Sequence, residues 1–231
     1  MTSSRRLALM MAALLAATST TITAQGAAAP VERTAAGYLV GDPEAPVSLI
    51  EFMSYTCPSC GNFAKQADNA LTFAYAGSGE VRVEYRPMVR DPVDLTVTML
   101  VGCVAPERFS AAHAAFMERQ DGWLNTARRA PAAQQALWRD AYQSAERRRS
   151  IASTLDLYPA MEPLGLSRTA ANRCLADQAR ADALLAAAEA NRAEFGVPGT
   201  PSFALDGMLL AGTHDWATLQ PQLDVRLNEA D

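Results

Sequence analysis

The run Val47-Ser48-Leu49-Ile50-Glu51-Phe52-Met53 is nearly continuous in apolar residues, the pattern of a short central strand covered on both faces. After Cys57, Phe63, Ala67, Ala70, Leu71 and Ala74 recur at helical spacing across 58–75, and Pro58 suits a first turn. Gly77-Ser78-Gly79 ends this helix. Glu80 to Met88 then alternates, with Val81, Val83 and Tyr85 on one face and Arg82, Glu84 and Arg86 on the other, which predicts a second strand.

From about 92 to 195 no strand pattern recurs, while Ala, Leu, Arg, Glu and Gln accumulate. Breaks at Pro106, Asp121-Gly122, Pro131 and the Pro159 to Gly165 segment predict three to five helices there, the last ended by Gly196. Ser202 to Leu205 and Met208 to Ala211 flank Asp206-Gly207, a hairpin signal, and a final helix is predicted over His214 to Asn228. The predicted class is α/β: a strand-helix-strand unit, a helical insertion over about 92–195, then a hairpin and a helix.

Residues 1–28 depart from this pattern. Arg5 and Arg6 precede an apolar run from Leu7 to Ala17, and small or polar residues follow, as in a secretory signal peptide cleaved between Ala24 and Ala29. The apolar run is 11 residues, short of the roughly 20 needed to span a bilayer. Its removal takes away two arginines and no acids, moving the formal charge from -5 to -7. That balance excludes a general nucleic-acid binder, which needs a basic surface for phosphates. The mature chain, 29–231, is expected to be soluble, and export places it in an oxidising compartment, the periplasm.

Four cysteines remain after cleavage, and four allow three pairings. Cys57 and Cys60 are close enough to close their own ring, which leaves Cys103 and Cys174 for each other; two buried free thiols are the alternative for that second pair. A bridge across so long a loop stabilises by roughly 4 kcal/mol in the chain-entropy treatment.

Cys57-Pro58-Ser59-Cys60 sits between a strand and a helix. There the first sulfur meets unpaired backbone N–H groups and the positive end of the helix dipole, which favour its thiolate. Cys60, one turn on, suits a buried resolving thiol. Half of a zinc site is the competing reading, but no second Cys-x-x-Cys and no closely spaced histidine pair is present, only His113 and His214. Gly61 rather than His follows Cys60, which excludes c-type haem attachment. No metal and no cofactor is expected, since the disulfide carries the electrons. Arg147-Arg148-Arg149 reads as a solvated helix face, and Trp123 and Trp138 as core or surface cover.

With Gly196-Val197-Pro198-Gly199-Thr200-Pro201 and the strand after it, the chain over almost its whole mature length resembles the DsbA-like branch of the thioredoxin superfamily. The resemblance implies a thioredoxin-like fold in which Pro201 is cis and packs against the active disulfide. Thr200 would offer backbone groups to an extended substrate strand, with Pro58 and Ser59 in the same substrate-binding surface. Glu51 matches the position of a buried carboxylate beneath the disulfide, a proton relay for Cys60; a solvent-facing Glu51 paired with Arg86 is the alternative. The resemblance also implies a structural bridge in the helical region, matching Cys103 and Cys174. It further implies a monomer acting on reduced or unfolded exported proteins and reoxidised by a quinone-linked inner-membrane partner.

Ser59 departs from the family's best-known oxidases, which carry His there, and serine adds no positive charge beside the thiolate. The expected activity is donation of the Cys57-Cys60 disulfide to exported proteins. A disulfide isomerase or reductase of the same fold, or a non-catalytic periplasmic chaperone, are the alternatives.

Overall fold

A computed structural model describes residues 29–140 and 144–230, so the proposed signal segment lies outside the described residues. The predicted central strand is β3 (Val47–Met53). Two shorter strands precede it, β1 (Val31–Arg33) and β2 (Tyr38–Val40). Three residues each are too few to display an alternation, which is why the sequence pattern missed them.

Helix α1 (Pro58–Asn69) continues as a π-helical segment over Ala70–Tyr75, with the Ala76 N–H reaching back to the Leu71 carbonyl at 2.8 Å. The wider turn shifts the buried face: Phe63, Ala67 and Leu71 are buried as their spacing predicts, but Ala74 is exposed and Ala76 takes its place inside. Strand β4 (Val81–Pro87) has the predicted alternation, with Val81, Val83 and Tyr85 buried and Arg82, Glu84 and Arg86 half-buried.

The predicted insertion holds eight α-helices among the described residues rather than three to five. They are α2 (Pro92–Val101), α3 (Phe109–Glu118), α4 (Gln120–Arg129), α5 (Ala132–Asp140), α6 (Ala145–Thr154), α7 (Tyr158–Met161), α8 (Arg168–Leu175) and α9 (Gln178–Phe195). Several breaks carry no proline or glycine. Helices α3 and α4 meet at Arg119, and α8 passes to α9 where the Asp177 carboxylate accepts the Arg180 N–H. Asp121-Gly122, read as a break, lies inside the first turn of α4. Arg148, read as solvated, is buried and donates through Nε to the Leu175 carbonyl at 2.7 Å, tying α6 to α8.

Strands β5 (Ser202–Leu205) and β6 (Met208–Leu209) form the predicted hairpin, with Asp206 and Gly207 both at positive φ, +48° and +82°. That geometry is the two-residue turn an Asp-Gly pair favours. Helix α10 (Trp216–Ala230) closes the chain.

The sheet order is β1-β2-β4-β3-β5-β6, with β3 and β4 parallel and the other pairs antiparallel. One large apolar core takes Val47, Leu49 and Met53 from β3, Phe63 from α1 and Leu95 and Leu100 from α2; a smaller one takes Ile50 and Phe52 from the opposite face of β3 with Ala204 and Met88. Both faces of β3 are therefore covered, and its C-terminal end delivers the chain to Cys57.

Candidate active site

Register brings the distant pieces together. Phe52 stands opposite Ser202 in the β3–β5 pair, so the loop before β5 ends beside the loop after β3. Cys57 is the N-cap of α1 in extended conformation, Pro58 occupies the first turn, and the Gly61 N–H reaches the Cys57 carbonyl at 3.2 Å. The thiol of Cys57 lies 3.0 Å from the Thr200 carbonyl, and the Thr200–Pro201 peptide bond is cis. Pro58 and Ser59 are exposed beside the buried Cys57 and Cys60.

The two sulfurs differ sharply in proton affinity. Cys57 is lowered from its usual 9.0 to about 5, chiefly by the Cys60 thiol, with help from Thr200 and the backbone N–H groups of Cys60 and Ser59; burial works the other way. Its contact with the Thr200 carbonyl suits the thiol rather than the thiolate and is outweighed. Burial pushes Cys60 well up, and the negative charges of Cys57 and Glu51 add to it. Ser59 thus leaves Cys57 without a cationic neighbour in the motif, yet the helix end and Cys60 suffice to depress it.

Glu51 is 1% exposed, so the solvent-facing alternative does not hold, and Arg86 instead pairs with Glu84 at 2.7 Å and reaches Asn191. Burial raises the Glu51 carboxyl well above the usual range, and the nearby Asp68 carboxylate raises it further. Its Oε2 has no hydrogen-bond partner among the described residues. Burial thus favours the protonated carboxyl at Glu51, and its charge, when ionised, raises the Cys60 thiol in turn.

Several residues that the motifs did not flag hold this arrangement. Gln120 of α4 donates from Nε2 to the carbonyls of Tyr55 and Cys57, both at 2.8 Å, and is fully enclosed. Gly61 leaves room for it, since a Cβ there would overlap the Gln120 amide. Asp94 of α2 accepts from Ser54 Oγ at 2.6 Å and from the Tyr55 N–H at 2.9 Å, while Asp91 accepts from Thr56 Oγ1 at 2.7 Å. Burial, then the charge of Asp91, lifts Asp94 to about 7. The loop Ser54–Thr56 is thereby fastened to the N-terminus of α2 immediately before Cys57.

The two histidines, which lack partners at metal-ligand spacing, each make specific hydrogen-bond or ion-pair contacts. His113 Nδ1 is 3.0 Å from the Tyr55 hydroxyl and its Nε2 is 3.2 Å from Asp68. His214 Nδ1 lies 2.8 Å from the Pro201 carbonyl; a carbonyl only accepts, so Nδ1 carries the hydrogen and braces the cis-proline loop. Sequence held a weak signal for Asp94 and Gln120, polar residues on helices of otherwise apolar burial, but their targets lie 39 and 65 residues away.

Cys103 and Cys174 stand apart from this cluster. They are joined as a disulfide between the end of α2 and α8, with Cα atoms 6.1 Å apart.

The thioredoxin family matches residues 33–225. The structure of a protein-disulfide isomerase from Novosphingobium aromaticivorans superposes with a TM-score of 0.77 at 41% identity, covering 82% of this chain and 96% of that one. Wolbachia pipientis alpha-DsbA1 gives 0.66 at 19% identity over 83% and 91% of the two chains, and Chlamydia trachomatis DsbA 0.53 at 15% over 84% and 91%. These last two share the fold, thioredoxin core and helical insertion together. No curated protein sequence matches the chain.

Proposed function

The chain belongs to the thioredoxin family and has its DsbA-like form, a thioredoxin core with a helical insertion, and from that premise we propose that it is a periplasmic thiol-disulfide oxidoreductase donating the Cys57–Cys60 disulfide to exported proteins. The observation that carries this reading is the asymmetry of the pair: Cys57 held down to about 5 and Cys60 pushed up. A substrate thiolate attacks Cys57 Sγ, the Cys57–Cys60 bond breaks, and Cys60 leaves and takes a proton from the Glu51 carboxyl. A second substrate thiolate then attacks the substrate sulfur of the mixed disulfide and displaces Cys57, a good leaving group because its thiolate is stable. The substrate loses two electrons and two protons; one proton restores the Glu51 carboxyl, the other passes to solvent, and the protein is left reduced with Cys57 as thiolate and Cys60 as thiol.

Thr200 and Pro201 offer the substrate an extended backbone edge beside Cys57, with Pro58 and Ser59 on the other side. Main-chain pairing of this kind accepts many side chains, which suits a broad set of reduced or unfolded substrates. Export rests on residues 1–28, and a monomer reoxidised by a quinone-linked inner-membrane partner rests on the family resemblance. No helix among the described residues is long and apolar enough to cross a membrane. Oxidised protein mixed with a reduced, unfolded secretory substrate should form substrate disulfides stoichiometrically. Cys57→Ala should abolish this and Cys60→Ala should trap mixed disulfides; normal turnover in Cys57→Ala would end the proposal.

A second reading, disulfide isomerase, is favoured by one observation, the 41% identity to a protein-disulfide isomerase. It predicts that the dithiol form rescues a scrambled multi-disulfide substrate faster than the disulfide form oxidises a reduced one.

A further inference from the structure

Away from the cysteine pair, a cavity of about 150 Å³ opens between β1, β2 and the helices α2, α3 and α9. Its walls are mainly apolar: Tyr38, Phe109, Val101 and Leu184, with the Tyr38 and Phe109 rings stacked at 4.2 Å. Two arginines, Arg33 and Arg180, also line it, and no carboxylate among the described residues lies within 4.0 Å of either guanidinium.

The polar atoms here are oversupplied with donors. Arg33 Nη2 at 2.7 Å, Tyr38 Oη at 3.2 Å and Arg180 Nη2 all donate to one acceptor, the Gly102 carbonyl. A carbonyl has two lone pairs and each guanidinium five N–H groups, so donors are left over. Arg180 Nε is buried with no hydrogen-bond partner among the described residues, and so is the hydroxyl of Thr98, a wall residue 4% exposed. Gly102 has a φ of -78°, open to any residue, but a Cβ there would overlap Arg180 Nη2 and crowd the Tyr38 hydroxyl at 3.1 Å. Space for the guanidinium, not backbone freedom, is what glycine supplies at this position. Arg180 is half-buried and Arg33 exposed, and the two adjacent cations repel each other, a repulsion that Asp177 offsets only in part and that an anion between them would relieve.

We propose that this cavity is a binding site for a small aromatic carboxylate, its carboxylate gripped by Arg180 and Arg33 and its ring enclosed by Tyr38, Phe109, Val101 and Leu184. The size fits, since an apolar cavity of ~150 Å³ holds benzene, and the planar guanidinium fork matches a carboxylate. The site uses neither Cys57 nor Cys60 and needs no redox step, although Tyr55 at its wall belongs to the loop that leads to Cys57.

The test is titration calorimetry on the full-length disulfide form at constant ionic strength, with sodium benzoate as probe and benzyl alcohol and acetate as half-ligands. Benzoate should bind saturably below about 10 mM, a range that captures a Kd of ~1 mM, and each half-ligand should be at least tenfold weaker. Arg180→Gln and Leu184→Trp, which fills the cavity, should each weaken benzoate at least tenfold. Arg33→Gln, at an exposed position, provides a variant whose folding is not in question and should weaken it severalfold. Benzoate binding no tighter than acetate or benzyl alcohol, or unchanged in both arginine variants, would overturn the proposal.

Discussion

The Cys57 sulfur lies 3.0 Å from the Thr200 carbonyl oxygen, across 143 residues of chain. That contact is made by β3 and β5, whose register sets Phe52 against Ser202 and leaves the two flanking loops side by side. The Cys57 sulfur and the proposed substrate edge at Thr200 are therefore positioned by one strand pairing.

Alkylation of the reduced protein should show an inflection at about pH 5 rather than near 9.0, read from the rate of iodoacetamide modification or thiolate absorbance. Because the Cys60 thiol is the largest single cause of the shift, Cys60→Ala should move the inflection upward. An inflection unchanged by that substitution would assign the depression to the helix end alone.

Stability should depend on pH differently in the two redox forms. Cys57 is lowered from 9.0 to about 5 in the folded dithiol, so its stabilising contribution is complete above about 9 and is lost as pH falls through about 5. Asp94 has the opposite sign: raised from 3.8 to about 7, it favours the fold at low pH and costs stability as pH rises through about 7, in both redox forms alike. The difference in Tm between dithiol and disulfide forms cancels Asp94, and the dithiol should gain on the disulfide between pH 5 and 8. A flat difference across that range would contradict the Cys57 assignment.

Glu51 separates chemistry from stability. A buried carboxyl with an unpartnered oxygen costs the fold, so Glu51→Gln or Glu51→Leu should leave Tm equal or higher. The same change removes the proposed proton donor for Cys60 and should slow release of Cys60 from the disulfide on the order of tenfold to a hundredfold, within the span of general acid catalysis. Stopped-flow reduction by a small dithiol measures this, and an unchanged rate would remove the relay role.

Gln120→Ala leaves the Tyr55 carbonyl without its amide donor in a closed site, while the Cys57 carbonyl keeps the Gly61 N–H. Each unsatisfied buried acceptor costs about 1 to 3 kcal/mol. Chemical denaturation should show a loss of that size in both redox forms, together with a weaker dependence of reactivity on the helix end as the Cys57 turn loosens.

The elements with long, unbroken patterns were legible in the sequence: β3, the first part of α1, β4 and the β5–β6 hairpin all fall where their periodicities predict. Short elements and breaks made without proline or glycine were not, as β1, β2 and the Arg119 junction show. Cys57, Cys60 and Pro201 are nameable because their residue types are rare in that order. Asp94, Gln120, His113 and His214 are ordinary polar residues whose importance comes from partners elsewhere in the chain, backbone groups for Asp94, Gln120 and His214 and side chains for His113, which no local pattern records. Arg148 is the same lesson in reverse: a charge run that looks solvated hides one side chain that ties two helices together.

The central claim, that this cysteine pair gives its disulfide away, is tested most directly by its reduction potential, measured by equilibration with glutathione and quantified by alkylation. A stable Cys57 thiolate stabilises the dithiol and raises the potential, so a value less negative than about -180 mV, toward the roughly -120 mV of a strong oxidant, is expected. A value near about -270 mV, typical of a reductant, would contradict it.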